Sequence, residues 1–166
     1  MNKTNNKGFS YVEMIIVLAI MGIMVGFLSI SISTNYRNEV SRTAEKFESR
    51  VNQARTSALT KGTANGYLNI AYVDKAYYTY VGEKLSSANS VKSKGEKLCN
   101  GNIEISITTD AINSGNPYKC LSFKQSTGGL LEEDGTIPPD YKAVMFKRNM
   151  QSVSYKIDQY TGKVER

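Results

Sequence analysis

The sequence predicts an α+β fold: one long N-terminal helix followed by a mostly antiparallel β-sheet. Three observations carry that expectation. No proline or glycine falls between Thr34 and Lys61, where apolar residues recur at helical spacing. Beyond Gly66 the texture changes to short runs that alternate apolar and polar residues, separated by turn residues. Tyrosine is frequent, with 11 residues, and proline scarce, with 3, which suits strands on one side and an uninterrupted helix on the other.

The first element is apolar. Met14 to Ile32 carries only Gly22, Gly26, Ser29 and Ser31 as small interruptions. Nineteen residues at helical rise reach roughly 28 Å, about the hydrocarbon thickness of a bilayer. Lys3 and Lys7 precede the run and no acidic residue lies ahead of Glu13 at its border, so the N-terminus is expected to stay cytoplasmic. Glu13 stands at the start of the run, where an ionisable group is costly and usually functional. Three readings compete. A secretory signal would be cut after the run, near Ser29 or Ser31. A plain membrane anchor would leave Glu13 without a role. The third reading is a signal cut in front of the run, between Gly8 and Phe9, with the hydrophobic helix retained.

"KGFSYVEMIIVLAIMGI" closely resembles the N-terminus of type IV prepilins and of the pseudopilins of type II secretion and competence systems. The family pattern is a short basic leader, a glycine, an aromatic residue, a glutamate fifth after the cut and a long apolar run. Lys3, Lys7, Gly8, Phe9, Glu13 and Met14 onward supply each part. The resemblance implies a leader over 1–8, removed after Gly8 by a membrane aspartyl peptidase that also methylates the new amine of Phe9. It implies a transmembrane and polymerisation helix over 9–33 and a pilin fold. It also implies a single-pass protein of the bacterial cell membrane with its globular part outside, later found in a pilus or pseudopilus. The implied partners are other pilin or pseudopilin subunits, the prepilin peptidase, an inner-membrane platform protein and, indirectly, an assembly ATPase. Glu13 of one subunit would face the Phe9 ammonium of a neighbour, since a paired charge is tolerated where a lone one is expensive. The other reading of Glu13 is a carboxylate that snorkels to the interface or is protonated.

From residue 34 to 62 an amphipathic helix continues the first. Val40, Ala44, Phe47, Val51, Ala54 and Ala58 form one apolar stripe, and Arg37, Glu39, Arg42, Glu45, Lys46, Glu48, Arg50 and Arg55 cover the other faces. Gly62 is the expected C-cap. Phe9 to Lys61 as one helix would be roughly 80 Å long. A mixed-charge helix of this kind suits a coiled coil or packing on the protein's own sheet, and the short stripe with small alanines favours the sheet. Residues 63–166 read as a globular β-rich domain. "YLNIAYV" and "AYYTYV" flank Asp74-Lys75 as a hairpin, and "NIEISITT", "KCLSFK", "YKAVMFK" and "SVSYKID" are further strands. Leu85 to Glu96 reads as an exposed polar loop.

In this domain "VNQARTSALTKG", "CLSFKQSTGGL" and "SVSYKIDQYTGKV" resemble the H-type group of minor pilins and pseudopilins. The chain departs from that group over Leu85 to Asn116, which is longer and more polar and holds Cys99.

Composition narrows the chemistry. There is no His, so His-based acid–base catalysis is excluded and His/Cys metal clusters are not expected. No phosphate-binding glycine loop with its lysine is present; "STGGLLEED" lacks it. The expectation is a protein that is not an enzyme and takes no cofactor or metal. Glu132, Glu133 and Asp134 read as a solvated turn, with a cation loop or a carboxylate dyad as the sharper alternatives. Cys99 and Cys120 would lie on the exported side, where disulfides persist, so a Cys99–Cys120 bridge is expected over two buried thiols. Net charge is +6, a mild excess that permits an anionic partner without requiring one. Lys142, Lys147, Arg148 and Lys156 are interleaved with Tyr141, Phe146 and Tyr155. Such a pattern suits DNA-backbone contact, a role associated with some competence minor pilins, or simply a wet strand face. Three functions therefore stand: a minor pilin or pseudopilin, a DNA-binding or adhesive tip subunit, and a non-polymerising anchored binding domain.

Overall fold

A computed structural model describes residues 10–108, 110–132 and 141–166, without the side chains of 27–34. The chain divides into two compact units, Met1–Tyr36 and Arg37–Arg166. Helix α1 runs over Tyr11–Lys61. Among the described residues ten strands follow: β1 Tyr67–Val73, β2 Ala76–Gly82, β3 Glu96–Asn100, β4 Glu104–Ile107, β5 Asp110–Ile112, β6 Tyr118–Phe123, β7 Leu130–Leu131, β8 Tyr141–Arg148, β9 Gln151–Asp158 and β10 Val164–Glu165. A short helix, α2, Ala88–Lys94, interrupts them between β2 and β3. The expected α+β class and pilin-type architecture are what the structure shows, with one difference. The strands form two five-stranded sheets, β3-β2-β1-β6-β7 and β10-β9-β8-β4-β5, rather than one.

In the first unit every described side chain from Tyr11 to Gly26 is exposed. Among the described residues no helix is long and apolar enough to cross a membrane, and the described side chains of the apolar run end at Gly26.

The second unit is built on the stripe of α1. Val40, Ala44, Phe47, Val51, Ala54 and Ala58 are each at most 1% exposed. The helix therefore packs on the protein's own sheets. Burying a side chain such as Phe47 contributes about 2–3 kcal/mol. Phe47 meets Phe146 of β8 edge to face, with ring centroids 5.3 Å apart, and Phe146 meets Tyr155 of β9 in the same manner. Leu68 and Ile70 of β1, Leu121 and Phe123 of β6, and Ile105 and Ile107 of β4 close the same core. α1 ends where Gly62 takes φ 93 while its N–H donates to the Ala58 carbonyl at 3.0 Å, a positive φ that a side chain would strain. The β1–β2 hairpin turns through Asp74 and Lys75, both at positive φ as a two-residue type I′ turn requires.

All pairings among the described residues are antiparallel, and alternate residues serve opposite faces. On β1, Leu68 and Ile70 face α1, while Asn69 and Ala71 face away. Residues 85–96, read from the sequence as an exposed loop, instead fold over that outer face. Leu85 and Val91 are buried there against Ala71. The fully buried Asn69 holds the segment in place. Its amide nitrogen donates to the carbonyls of Tyr80 and Glu83, and its oxygen accepts from Leu85 N–H at 3.0 Å and from the Tyr118 hydroxyl at 2.8 Å.

Candidate functional site

Glu13 lies in the first turn of α1, where a carboxylate favours the positive end of the helix. Its neighbours on the helix are exposed apolar residues: Tyr11, Val12, Ile16 and Val17. The expected cleavage position, Gly8 and Phe9, lies outside the described residues, as do Glu133 and Asp134 of the acidic turn. The alternative cleavage position at Ser29 or Ser31 falls among the undescribed side chains.

The four cations singled out in the C-terminal strands do not share a face. β8 turns Val144 and Phe146 into the core, and Lys142 and Arg148 have the same parity. Lys142 is bonded to Glu132 at 2.9 Å, and Arg148 to Glu39 of α1. Lys147 and Lys156 lie on the other face and are exposed. Lys147 is the cross-strand partner of Glu104, and Lys156 sits over the Tyr141 ring, 4.8 Å from its centroid. Two of the four are thus tied into the fold.

The expected Cys99–Cys120 bridge is not formed. Cys99 is on β3 and Cys120 on β6, and β2 and β1 lie between them in the sheet. That is about three strand spacings, roughly 14 Å, against a Cα separation of at most about 7 Å for a disulfide. The faces differ as well: Cys99 is paired with core-facing Tyr77, and Cys120 with outward-facing Asn69. Cys99 is buried, and that burial pushes its thiol up to about 12. Cys120 contacts Asn69 Oδ1 through its sulfur at 3.6 Å.

The three short motifs of the globular part, distant in sequence, meet in space. Arg55 Nε donates to the Thr161 carbonyl at 2.5 Å, and the Arg55 side chain runs along Gly128. Gly128 and Gly162 both have positive φ, 73 and 64. A Cβ on Gly162 would stand 2.0 Å from the Gly128 carbonyl oxygen, and one on Gly66 2.4 Å from the Ala58 Cβ. Glycine is required here because two turns and the helix end touch backbone to backbone. Asp158 organises the last turn by accepting from Tyr160 N–H, Thr161 N–H and the Thr161 hydroxyl, and the Thr161 bonds hold its carboxyl below the usual range.

Residues 3–29 match the family model of the prokaryotic N-terminal methylation motif. The chain carries the methylation motif of type IV pilins and pseudopilins. No curated protein and no solved structure matches the chain. The matched segment includes Gly8, Phe9 and Glu13 and extends into the apolar part of α1. The motif implies prepilin peptidase and other pilin subunits as partners. It also implies a membrane-anchored state that precedes the pilus or pseudopilus.

Proposed function

We propose that this chain is a minor pilin or pseudopilin, cut between Gly8 and Phe9, methylated on Phe9 and assembled through its N-terminal helix. The observation that carries the reading is the methylation motif over residues 3–29, with Glu13 set in a helix whose described N-terminal side chains are all exposed. Exposed apolar side chains of this number need another apolar surface to cover them, and lipid followed by neighbouring helices answers that need in turn. The Phe9 ammonium released by cleavage supplies a partner for Glu13, so a subunit leaves the membrane with its charge neutralised. The convergence of the Arg55, Gly128 and Gly162 motifs supports an H-type subunit, because it gives each short motif a structural reason. A DNA-contacting or adhesive tip role has narrower support, since the exposed strand face holds Lys147 and Lys156 but not Lys142 or Arg148.

Intact-mass measurement on protein from its host tests the processing: loss of residues 1–8 and a gain of one methyl group are expected. Glu13→Ala should be processed normally yet be absent from sheared filaments. Cleavage beyond the apolar run, or wild-type incorporation of Glu13→Ala, would count against the reading.

A further inference from the structure

A cavity of about 310 Å³ lies between α1 and the edge of the first sheet, lined by Lys46, Ser49, Arg50, Thr79, Glu96 and Lys97 above Leu98. Lys46, Ser49 and Arg50 share one helix face at spacings of three and four. Thr79 and Glu96 are register partners on β2 and β3. Three cations meet one carboxylate, and Arg50 already engages Glu96. Neither Lys46 nor Lys97 has an ion-pair partner among the described residues. Independently, the Thr79 hydroxyl is buried and has no hydrogen-bond partner among the described residues, although the residue is only 2% exposed. A buried hydroxyl left unpaired is destabilising, and Glu96 offsets only one of the three cations. A water molecule would answer the first need alone. A multivalent oxyanion answers both, because its several oxygens accept from ammonium, guanidinium and hydroxyl groups together.

We propose that this cavity binds a phosphate-type oxyanion, held by Lys46, Arg50, Lys97 and Ser49, with the Thr79 hydroxyl at its floor. Lys46 and Lys97 are exposed at the rim, so their side chains can swing to admit the ion and uncover that hydroxyl. The site lies wholly within the unit Arg37–Arg166.

The test is thermal unfolding of the full chain in detergent micelles, followed by circular dichroism, during titration with sodium phosphate. Sodium chloride at matched ionic strength is the control, and glycerol phosphate forms a second arm. A saturable rise in Tm with phosphate and none with chloride is expected. Response to inorganic phosphate alone assigns a free ion; response to glycerol phosphate as well assigns a phosphate borne by a larger molecule. The Lys46→Gln/Lys97→Gln variant alters only exposed side chains and should weaken the phosphate response by about tenfold or more. Thr79→Val, which keeps the shape, should be at least as stable as the wild type without phosphate and gain less from it. Equal shifts with chloride, or an unchanged phosphate response in either variant, would overturn the proposal.

Discussion

Tyr77 shows how one side chain can hold two layers together. It stands on β2 of the first sheet, and its hydroxyl donates to the Ile112 carbonyl at 2.8 Å and accepts from Ile105 N–H at 3.4 Å, both in the second sheet. Burial pushes its phenol from 10.0 up to about 12, and burial likewise pushes the Cys99 thiol from 9.0 up to about 12. Both groups have a folded pKa raised above the unfolded one. Their contribution is therefore complete below the ordinary values and is lost as pH rises toward the folded ones. The fold should weaken between pH 9.0 and about 12. Tyr77→Phe leaves the buried Ile112 carbonyl without its donor and should cost about 1–2 kcal/mol near neutral pH. It should also flatten part of the alkaline loss. Urea unfolding near neutrality and at about pH 11 measures both effects; an unchanged alkaline slope in the variant would remove Tyr77 from the account.

Among the elements, the segment between β2 and β3 depends on contacts made by Asn69 of β1. α2 is too short to be stable alone. Ser87 caps it by accepting from Ser90 N–H, Val91 anchors it, and Lys92–Asp74 and Lys94–Glu83 pairs tie its exposed side to the β1–β2 hairpin and the end of β2. Those surface pairs are weak supports. Asn69 is the stronger one, since all of its polar atoms are used on this segment and its neighbours. Asn69→Ala should cost about 2–3 kcal/mol by leaving the Leu85 N–H and the Glu83 carbonyl short of partners. It should also expose Lys92 and Lys94 to trypsin while α1 stays protected. Limited proteolysis read by mass spectrometry decides this; cleavage no faster than in the wild type would mean that Val91 and Leu85 suffice.

At the scale of the whole second unit, the end of α1 and turns from both sheets meet at one place. The turns after β6 and β9 press Gly128 against Gly162, Leu130 N–H donates to the Gln159 carbonyl, and Arg55 spans from the helix to Thr161. Gly162→Ala puts a Cβ against a backbone oxygen at a positive φ, so neither rotation nor a side-chain shift relieves it. It should cost more than about 2 kcal/mol. Replacing Gly115, whose nearest neighbour is only the Asn113 side chain at 3.3 Å, should cost less than Gly162→Ala. Thermal unfolding of the two variants side by side is the measurement, and equal losses would argue against a clasp.

The amino-acid order alone determined the long helix, its buried stripe from Val40 to Ala58, the stop at Gly62 and the hairpin at Asp74-Lys75. Each of these rests on periodicity or on the conformational preferences of neighbouring residues, which are local properties. The methylation motif was legible for the same reason, being one contiguous segment. What depended on partners distant in the chain was decided only by the tertiary structure. The short strands β5, β7 and β10 are too brief to carry an alternation signal, and the split into two sheets follows from which strands pair rather than from their composition. Residues 85–96 read as a loop because their polarity is that of one exposed side, while Leu85 and Val91 on the other side meet Ala71. The two cysteines suggested a bridge from compartment and count, yet strand order set them on opposite faces, three strands apart. The basic C-terminal run looked like one patch because sequence does not say which cations will find Glu39 and Glu132. Local physics is written along the chain; pairing across it exists only once the chain has closed on itself.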